Sequence, residues 1–357
     1  MTNAGDAILF LDAPANHDRT AEGTTPLPLS FTGSAGEYFR IWIVNLFLAV
    51  ITLGIYSAWA KVRSRQYLYR HTWLDGASFD YLADPLKILK GRIIAVTVLG
   101  SVVFAQQYSI ALYLVGIAVV LLATPWVTVK ALGFNARNSA WRNVRFSFHG
   151  TTGQAFLEYL KGLGIAVITL GIGASLLRWR VTRFAVVSHA FGKLPFRFRT
   201  TGSEYFAAHF MAGMVGGMMM PLFGLIGFFV GGIDTESRRE VGLMVGFGAA
   251  YFVMFAFLKA RLASLVWGGM DIGPHRLSAT LTFWRVLWLQ ATNLVAIACT
   301  LGLAYPWAKL RYHRYLVSQI TLHASGPLFT ESVPSTNSGG ATGDALGEIV
   351  GFDLGFG

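Results

Sequence analysis

Charge and cysteine are what this sequence has least of. Aspartate, glutamate, lysine and arginine make up only 13% of its 357 residues, about half the share usual in soluble globular proteins. A single cysteine, Cys299, excludes an intramolecular disulfide and a cysteine-based metal set. The motifs G-x-x-x-x-G-K-[ST], G-x-S-x-G and H-E-x-x-H are missing, and the eight histidines are scattered without ligand-like spacing. These gaps argue against an ATP-driven pump, a serine hydrolase and a zinc peptidase, so no enzyme activity, cofactor or metal is expected. What fills the space is apolar: 54% hydrophobic residues and a mean hydropathy of +0.51. That is the composition of an integral membrane protein.

The charges are unevenly spread. Residues 1–30 carry −3 and residues 326–357 carry −4, so the stretch between holds +18 of a net +11. Those bases sit beside apolar runs, where they orient a chain in the membrane and meet anionic headgroups; nucleic acid is not an expected partner. The first 30 residues lack a basic, then apolar, leader pattern, so no cleavable signal is expected there. Both ends (1–29 and 326–357) are rich in Gly, Ser, Thr, Ala and Pro and read as disordered tails.

Seven uncharged segments are candidates for membrane insertion: 41–58, 92–106, 108–129, 162–177, 207–231, 241–258 and 286–306. Gly213/Gly217, Gly227/Gly231 and Gly242/Gly246 each satisfy G-x-x-x-G, a spacing that lets helix backbones approach closely in lipid. Packing within the chain is the expectation, with a homodimer through these helices as the alternative. Met218, Met219 and Met220 before Pro221 read as adaptable packing at a kink.

The chain also echoes itself. At an offset of 117, Phe31, Gly33, Gly36 and Phe39 fall on Phe148, Gly150, Gly153 and Phe156, and VITLGI at 50–55 falls on VITLGI at 167–172. At an offset of 248, Asn45 falls on Asn293, Thr52-Leu53-Gly54 on Thr300-Leu301-Gly302, and Trp59-Ala60-Lys61 on Trp307-Ala308-Lys309. The middle copy has Leu176-Leu177-Arg178 where the others have Trp-Ala-Lys. The expected fold is therefore an all-α polytopic membrane protein with internal repeats and only short β-like stretches in its loops. Two full units, 30–147 and 148–276, are followed by a partial third, 277–325.

The runs FTGSAGEYF, NLFLAVITLGIYSAWAKVRSRQY, LDGASFDYLADPLKILKGR and NLVAIACTLGLAYPWAKLRYHRY resemble the YjgN-like inner-membrane proteins of bacteria, a domain of unknown function. The resemblance covers roughly residues 30–325. It implies a multi-pass protein of the bacterial inner membrane and supplies no catalytic residues.

Two topologies compete. If all seven segments cross, lysines and arginines divide 17:12 between the two sides; if the three TLG segments dip in and return, they divide 27:2. The charge rule favours the second and segment length the first. Hydropathy is the more direct measure of insertion, so seven crossings are expected; in either case the C-terminus is cytoplasmic.

Asn45 and Asn293 are equivalent polar residues inside two of the TLG segments, and Thr52, Thr169 and Thr300 occupy the same place in all three. Helix–helix hydrogen bonding is their expected role, with a polar path as the alternative. Trp59, Lys61, Arg63 and Arg65, and again Trp307, Lys309, Arg311 and Arg314, form two basic aromatic patches suited to lipid headgroups or another anion. Glu37 and Glu204 are expected to cap helices or pair with bases. The leading function is a transporter or channel-like protein for a small molecule or lipid, by architectural analogy alone. The rival is a non-transporting scaffold whose basic cytoplasmic loops hold headgroups or a partner.

Overall fold

The computed structural model describes residues 24–231 and 236–326, with the side chains of 236–237 left aside. Most of both expected tails lies outside the described residues.

Among the described residues are ten helices and eleven strands. Strands β1 (Thr25–Pro28) and β2 (Ser30–Phe31) lead into helices α1 (Ala35–Ile51) and α2 (Ser57–Arg70), then β3 (Thr72–Leu74) and β4 (Ala77–Tyr81). Helices α3 (Pro85–Ala105) and α4 (Ile110–Asn138) lead to β5 (Ser139–Trp141) and β6 (Val144–Phe148). Helices α5 (Thr152–Ile168) and α6 (Ala174–Val187) precede β7 (His189–Phe191) and β8 (Leu194–Phe198). Helices α7 (Gly202–Gly231) and α8 (Glu236–Gly268) precede β9 (Met270–Ile272) and β10 (His275–Ala279). Last come α9 (Phe283–Cys299), α10 (Tyr305–Ser318) and β11 (Ile320–Ala324).

The strands correct the all-α expectation. All eleven belong to one antiparallel sheet in the order β1-β11-β10-β9-β8-β7-β6-β5-β4-β3-β2. Its two end strands are halves of one segment, split only at Leu29, whose N–H donates to the Ile320 carbonyl at 3.0 Å. The sheet therefore curls into a nearly closed barrel. Two-residue turns join β3 to β4, β5 to β6, β7 to β8 and β9 to β10. Asp75-Gly76 and Arg142-Asn143 have positive φ at both central positions, the mirror-image turn whose twist suits a hairpin.

Side chains alternate along the strands, as period two requires. Phe79, Phe146, Phe196, Leu277 and Leu322 pack into the core inside the sheet. Ser78, Arg145, Arg197, Arg276 and Thr321 occupy the intervening outward positions. A lipid-exposed barrel needs the reverse, an apolar outer band. The outer face of this barrel is polar.

Each helical hairpin joins the end of one strand to the start of its antiparallel neighbour, so all five leave and re-enter the same rim. The two-residue turns lie at the other rim, together with the chain entry at Thr25 and exit at Ala324, which are directly paired. The helices pack in chain order, and the last, α10, packs on the first, α1, which closes a ring above the barrel mouth.

Among the described residues, four helices are long and apolar enough to cross a membrane: α3, α4, α7 and, in α8, the segment Arg238–Gly268. The expectation of seven crossings is corrected with them. The uncharged run 41–60 is no single rod: it ends one helix at Ile51, turns and starts another at Ser57. The arm from 41 to 51 rises about 16 Å, half of a core about 30 Å thick. The other two TLG runs double back in the same way, with turns between Ile168 and Ala174 and between Cys299 and Tyr305.

In the long hairpin α7–α8 the glycines of two of the three G-x-x-x-G pairs, Gly227/Gly231 and Gly242/Gly246, serve close packing within the chain, whereas Gly213 and Gly217 meet nothing within 4 Å. A Cβ on Gly227 would lie 2.1 Å from the Gly242 carbonyl oxygen, and one on Gly246 2.1 Å from that of Phe223. Helix α7 continues through Pro221.

Candidate functional site: hairpin tips and the barrel mouth

Each TLG turn spends its threonine on the backbone. Thr52 Oγ1 donates to the Leu48 carbonyl at 2.7 Å and accepts from the Tyr56 N–H at 2.9 Å. Thr169 Oγ1 does the same with Ile165 and Gly173, at 2.7 and 2.8 Å. Thr300 Oγ1 repeats it with Ala296 and Ala304, at 2.7 and 2.9 Å. The remaining turn amides are also occupied: Leu53 to Val50, Gly54 to Ala49, Ile55 to Thr52 and Ser57 to Gly54. With Thr52 N to Leu48 O, every N–H from 52 to 57 has an acceptor. Backbone at membrane depth requires this, because lipid offers no replacement for water.

The leucine of each turn takes the left-handed conformation, at φ 50° for Leu53, 51° for Leu170 and 48° for Leu301. Holding a leucine there costs about 1–2 kcal/mol. What is gained is projection: the three leucines are 94%, 93% and 96% exposed. Val50, Ile51 and Ile55 surround the first, Val167, Ile168 and Ile172 the second, and Leu303 flanks the third, all exposed. Three greasy tips thus rise from one rim beside the four long helices.

Asparagines 45 and 293 have separate fates. Asn293 is buried; it donates to the Ala308 carbonyl at 3.1 Å and accepts from Arg311 at 3.2 Å. Asn45 is buried too, and neither of its side-chain amide atoms has a hydrogen-bond partner. The five polar residues therefore sit in three separate hairpins and do not converge on a path.

The basic aromatic patches also divide. Trp59 stacks on Tyr56, and exposed Arg63 lies over the Tyr56 ring with 5.8 Å to its centroid. Half-buried Lys61 and Lys309 stand on the same helices as these residues. Trp307 lies under the Arg311 guanidinium, 5.0 Å away. Arg314 reaches the Gly33 carbonyl at 2.7 Å, which ties α10 to the start of α1. Glu204 accepts from the Thr201 N–H at 2.7 Å, capping α7, and Glu37 accepts from Tyr67.

Arg65 is the surprise of the set. It is buried, with NH1 2.7 Å from Asn135 Oδ1 and 3.0 Å from the Tyr81 hydroxyl. There it lines a cavity of about 130 Å³ at the mouth of the barrel. Thr72, Ser139, His189 and Met270, the first residues of β3, β5, β7 and β9, contribute to the wall. Phe79, Phe146, Phe196 and Trp267 supply aromatic surface. Burial pushes the His189 imidazole down to about 4, although its Nδ1 donates to the Ala185 carbonyl at 2.6 Å. His313, buried above the neighbouring strands and 3.4 Å from Thr72 Oγ1, is likewise held down to about 4. Sequence reasoning missed this cavity, because its wall comes from residues spread over 206 positions, Arg65 to Met270. The one legible signal was a single arginine in a basic run facing opposite to its neighbours.

Comparisons with known proteins agree with the membrane character. A family profile described as "Bacterial protein of unknown function (DUF898)" matches residues 26–349. The chain is 24% identical to "Inner membrane protein YjgN" of Salmonella typhimurium, over 90% of this chain and 92% of that protein. It is 21% and 23% identical to proteins of that name from Escherichia coli O157:H7 and strain K12, each over 78% of this chain and 84% of the relative. No solved structure matches.

Proposed function

The chain belongs to the DUF898 family of bacterial inner-membrane proteins of unknown function, and from that premise we propose that it is a lipid-engaging scaffold of the cytoplasmic leaflet. In this reading the barrel sits in the cytoplasm beneath the membrane. Two long hairpins cross and return, and three TLG hairpins wedge into the near leaflet only. The observation that carries it is the TLG turn: an exposed leucine on a backbone with no unsatisfied amide, three times over. Charge supports the orientation. Of 28 lysines and arginines among the described residues, only Arg238 and Arg239 lie at the far end of a crossing hairpin, and the basic side of a membrane protein faces the cytoplasm. Both termini then lie in the cytoplasm.

The transporter reading loses its residues: the threonines hold turns, Asn293 is bound to Arg311 and Ala308, and Asn45 sits alone in a different hairpin. A headgroup-holding role keeps Lys61, Arg63 and Lys309 at the level where the apolar tips begin.

Cysteine scanning in cells, on a Cys299→Ser background, tests the arrangement. A cysteine at Gln107, between α3 and α4, is expected to react with an impermeant maleimide from outside. One at Arg145, on the barrel wall, should react only after permeabilisation, and ones at Leu53 and Leu170 should stay unlabelled in both conditions. Labelling of Leu53 or Leu170 from either aqueous side overturns the wedge. Reduced retention of phosphatidylglycerol by an Arg63→Glu/Lys309→Glu variant, read by native mass spectrometry, checks the headgroup contact; unchanged retention removes it.

A further inference from the structure

The cavity at the barrel mouth combines a fixed charge with a large aromatic surface in its lining, and membrane placement gives it no task. We propose that it binds a small carboxylate with a compact apolar body, of the size class of benzoate or hexanoate. Three observations lead there.

Volume sets the size. A cavity of about 130 Å³ is close to the roughly 150 Å³ that holds a benzene molecule. It accommodates a ring or short chain and is far too small for a phospholipid.

Lining sets the body. Phe79, Phe146, Phe196, Leu132, Trp267 and Met270 supply a broad apolar surface. Such a surface favours an apolar ligand with a few convergent polar contacts.

Charge sets the head. Arg65 is the one charged side chain in the lining, and Tyr69, Thr72, Asn135 and Ser139 are uncharged. Asn135 and Tyr81 fix the position of its NH1. The guanidinium stays ionised at every physiological pH, and its charge favours a carboxylate head over a neutral one. His189 brings no second charge, since its buried ring stays neutral near pH 7. Position adds access to an amphiphile, because the cavity lies between the barrel and the helices that enter the membrane.

The test uses the full-length protein in nanodiscs and fluorine NMR with 4-fluorobenzoate as the probe. Saturable binding, displaced by unlabelled benzoate, is expected, with 4-fluorotoluene binding at least about tenfold more weakly because it forgoes a charge-assisted hydrogen bond. Arg65→Gln should abolish that preference. Phe146→Trp should fill the cavity and remove binding of both probes, and it stands in if Arg65→Gln fails to fold. The proposal is overturned by the absence of saturable 4-fluorobenzoate binding, by equal affinity for the two probes, or by undiminished binding in Phe146→Trp. None of these outcomes bears on the wedge topology, which the cysteine scan reads separately.

Discussion

Replacing Thr52 by valine removes one hydroxyl and almost no volume, and the structure says where the damage falls. The Leu48 carbonyl keeps a partner, since it still accepts from the Thr52 N–H at 3.0 Å. The Tyr56 N–H does not, because Thr52 Oγ1 was its acceptor at 2.9 Å. The consequence depends on the surrounding solvent. In water a solvent molecule takes the place of the hydroxyl, and the net loss stays near 1 kcal/mol or below. In hydrocarbon the amide is left unmet, at a cost of about 1–3 kcal/mol or more. Thr52→Ser keeps the oxygen and serves as the reference. Thermal unfolding in nanodiscs should then place Thr52→Val below Thr52→Ser by a few degrees. Hydrogen exchange at the Tyr56 amide should rise only slightly, because water is excluded. Thr169→Val and Thr300→Val should behave alike and add, since the turns lie on separate hairpins. A valine variant as stable as the serine one, or rapid exchange at Tyr56, refutes the placement of this turn in lipid.

Other perturbations follow from the same geometry. Gly227→Ala should loosen the α7–α8 hairpin by about 1–3 kcal/mol, since its Cβ meets the Gly242 carbonyl at 2.1 Å; Gly213→Ala, with nothing within 4 Å, should be neutral or stabilising, and paired unfolding curves compare them. His189 and His313 are held down to about 4 against about 6.5 in an unfolded chain. The unfolded state therefore binds protons that the folded state refuses, so stability is complete above about pH 6.5 and is lost as pH falls toward 4. The loss is about 3 kcal/mol per histidine at most. Melting temperatures between pH 7.5 and 4.5 should show this slope, and His189→Gln should flatten it.

Much of the membrane-facing half was legible in the sequence. The uncharged runs located every hairpin, and the aligned TLG triplets marked three turns that share one geometry. Hydropathy then misled, because a run of twenty uncharged residues measures how much chain lipid accepts and carries no direction. Gly54, at φ 90°, held the missing information: glycine after a left-handed residue ends a helix and returns the chain. The 27:2 charge split pointed the same way and was outweighed. The barrel was legible only in fragments. Strands of two to five residues show one or two alternations each, and their partners are remote: Phe31 pairs with Thr72, and Thr25 with Ala324. Nothing local says that four two-residue hairpins share one sheet. Arg65 suffered from the same distance, since only the closed sheet brings Asn135 and Tyr81 to it.

Barrel and membrane topology are one statement. In an antiparallel sheet whose neighbours are consecutive in sequence, every connection begins and ends on a single rim. Five of the connections are two-residue turns or the chain ends, and the other five are helical hairpins; the two sets alternate. A segment that leaves the rim must come back to it, so the number of crossings in each hairpin is even. Seven crossings, with successive units inverted, would place some strand ends outside the membrane and others inside, and β2 could then no longer pair with β3, β6 with β7 or β10 with β11. A cysteine at Leu53 that reacts from outside would therefore do more than move one turn. It would dissolve the sheet, and with it the cavity beneath Arg65.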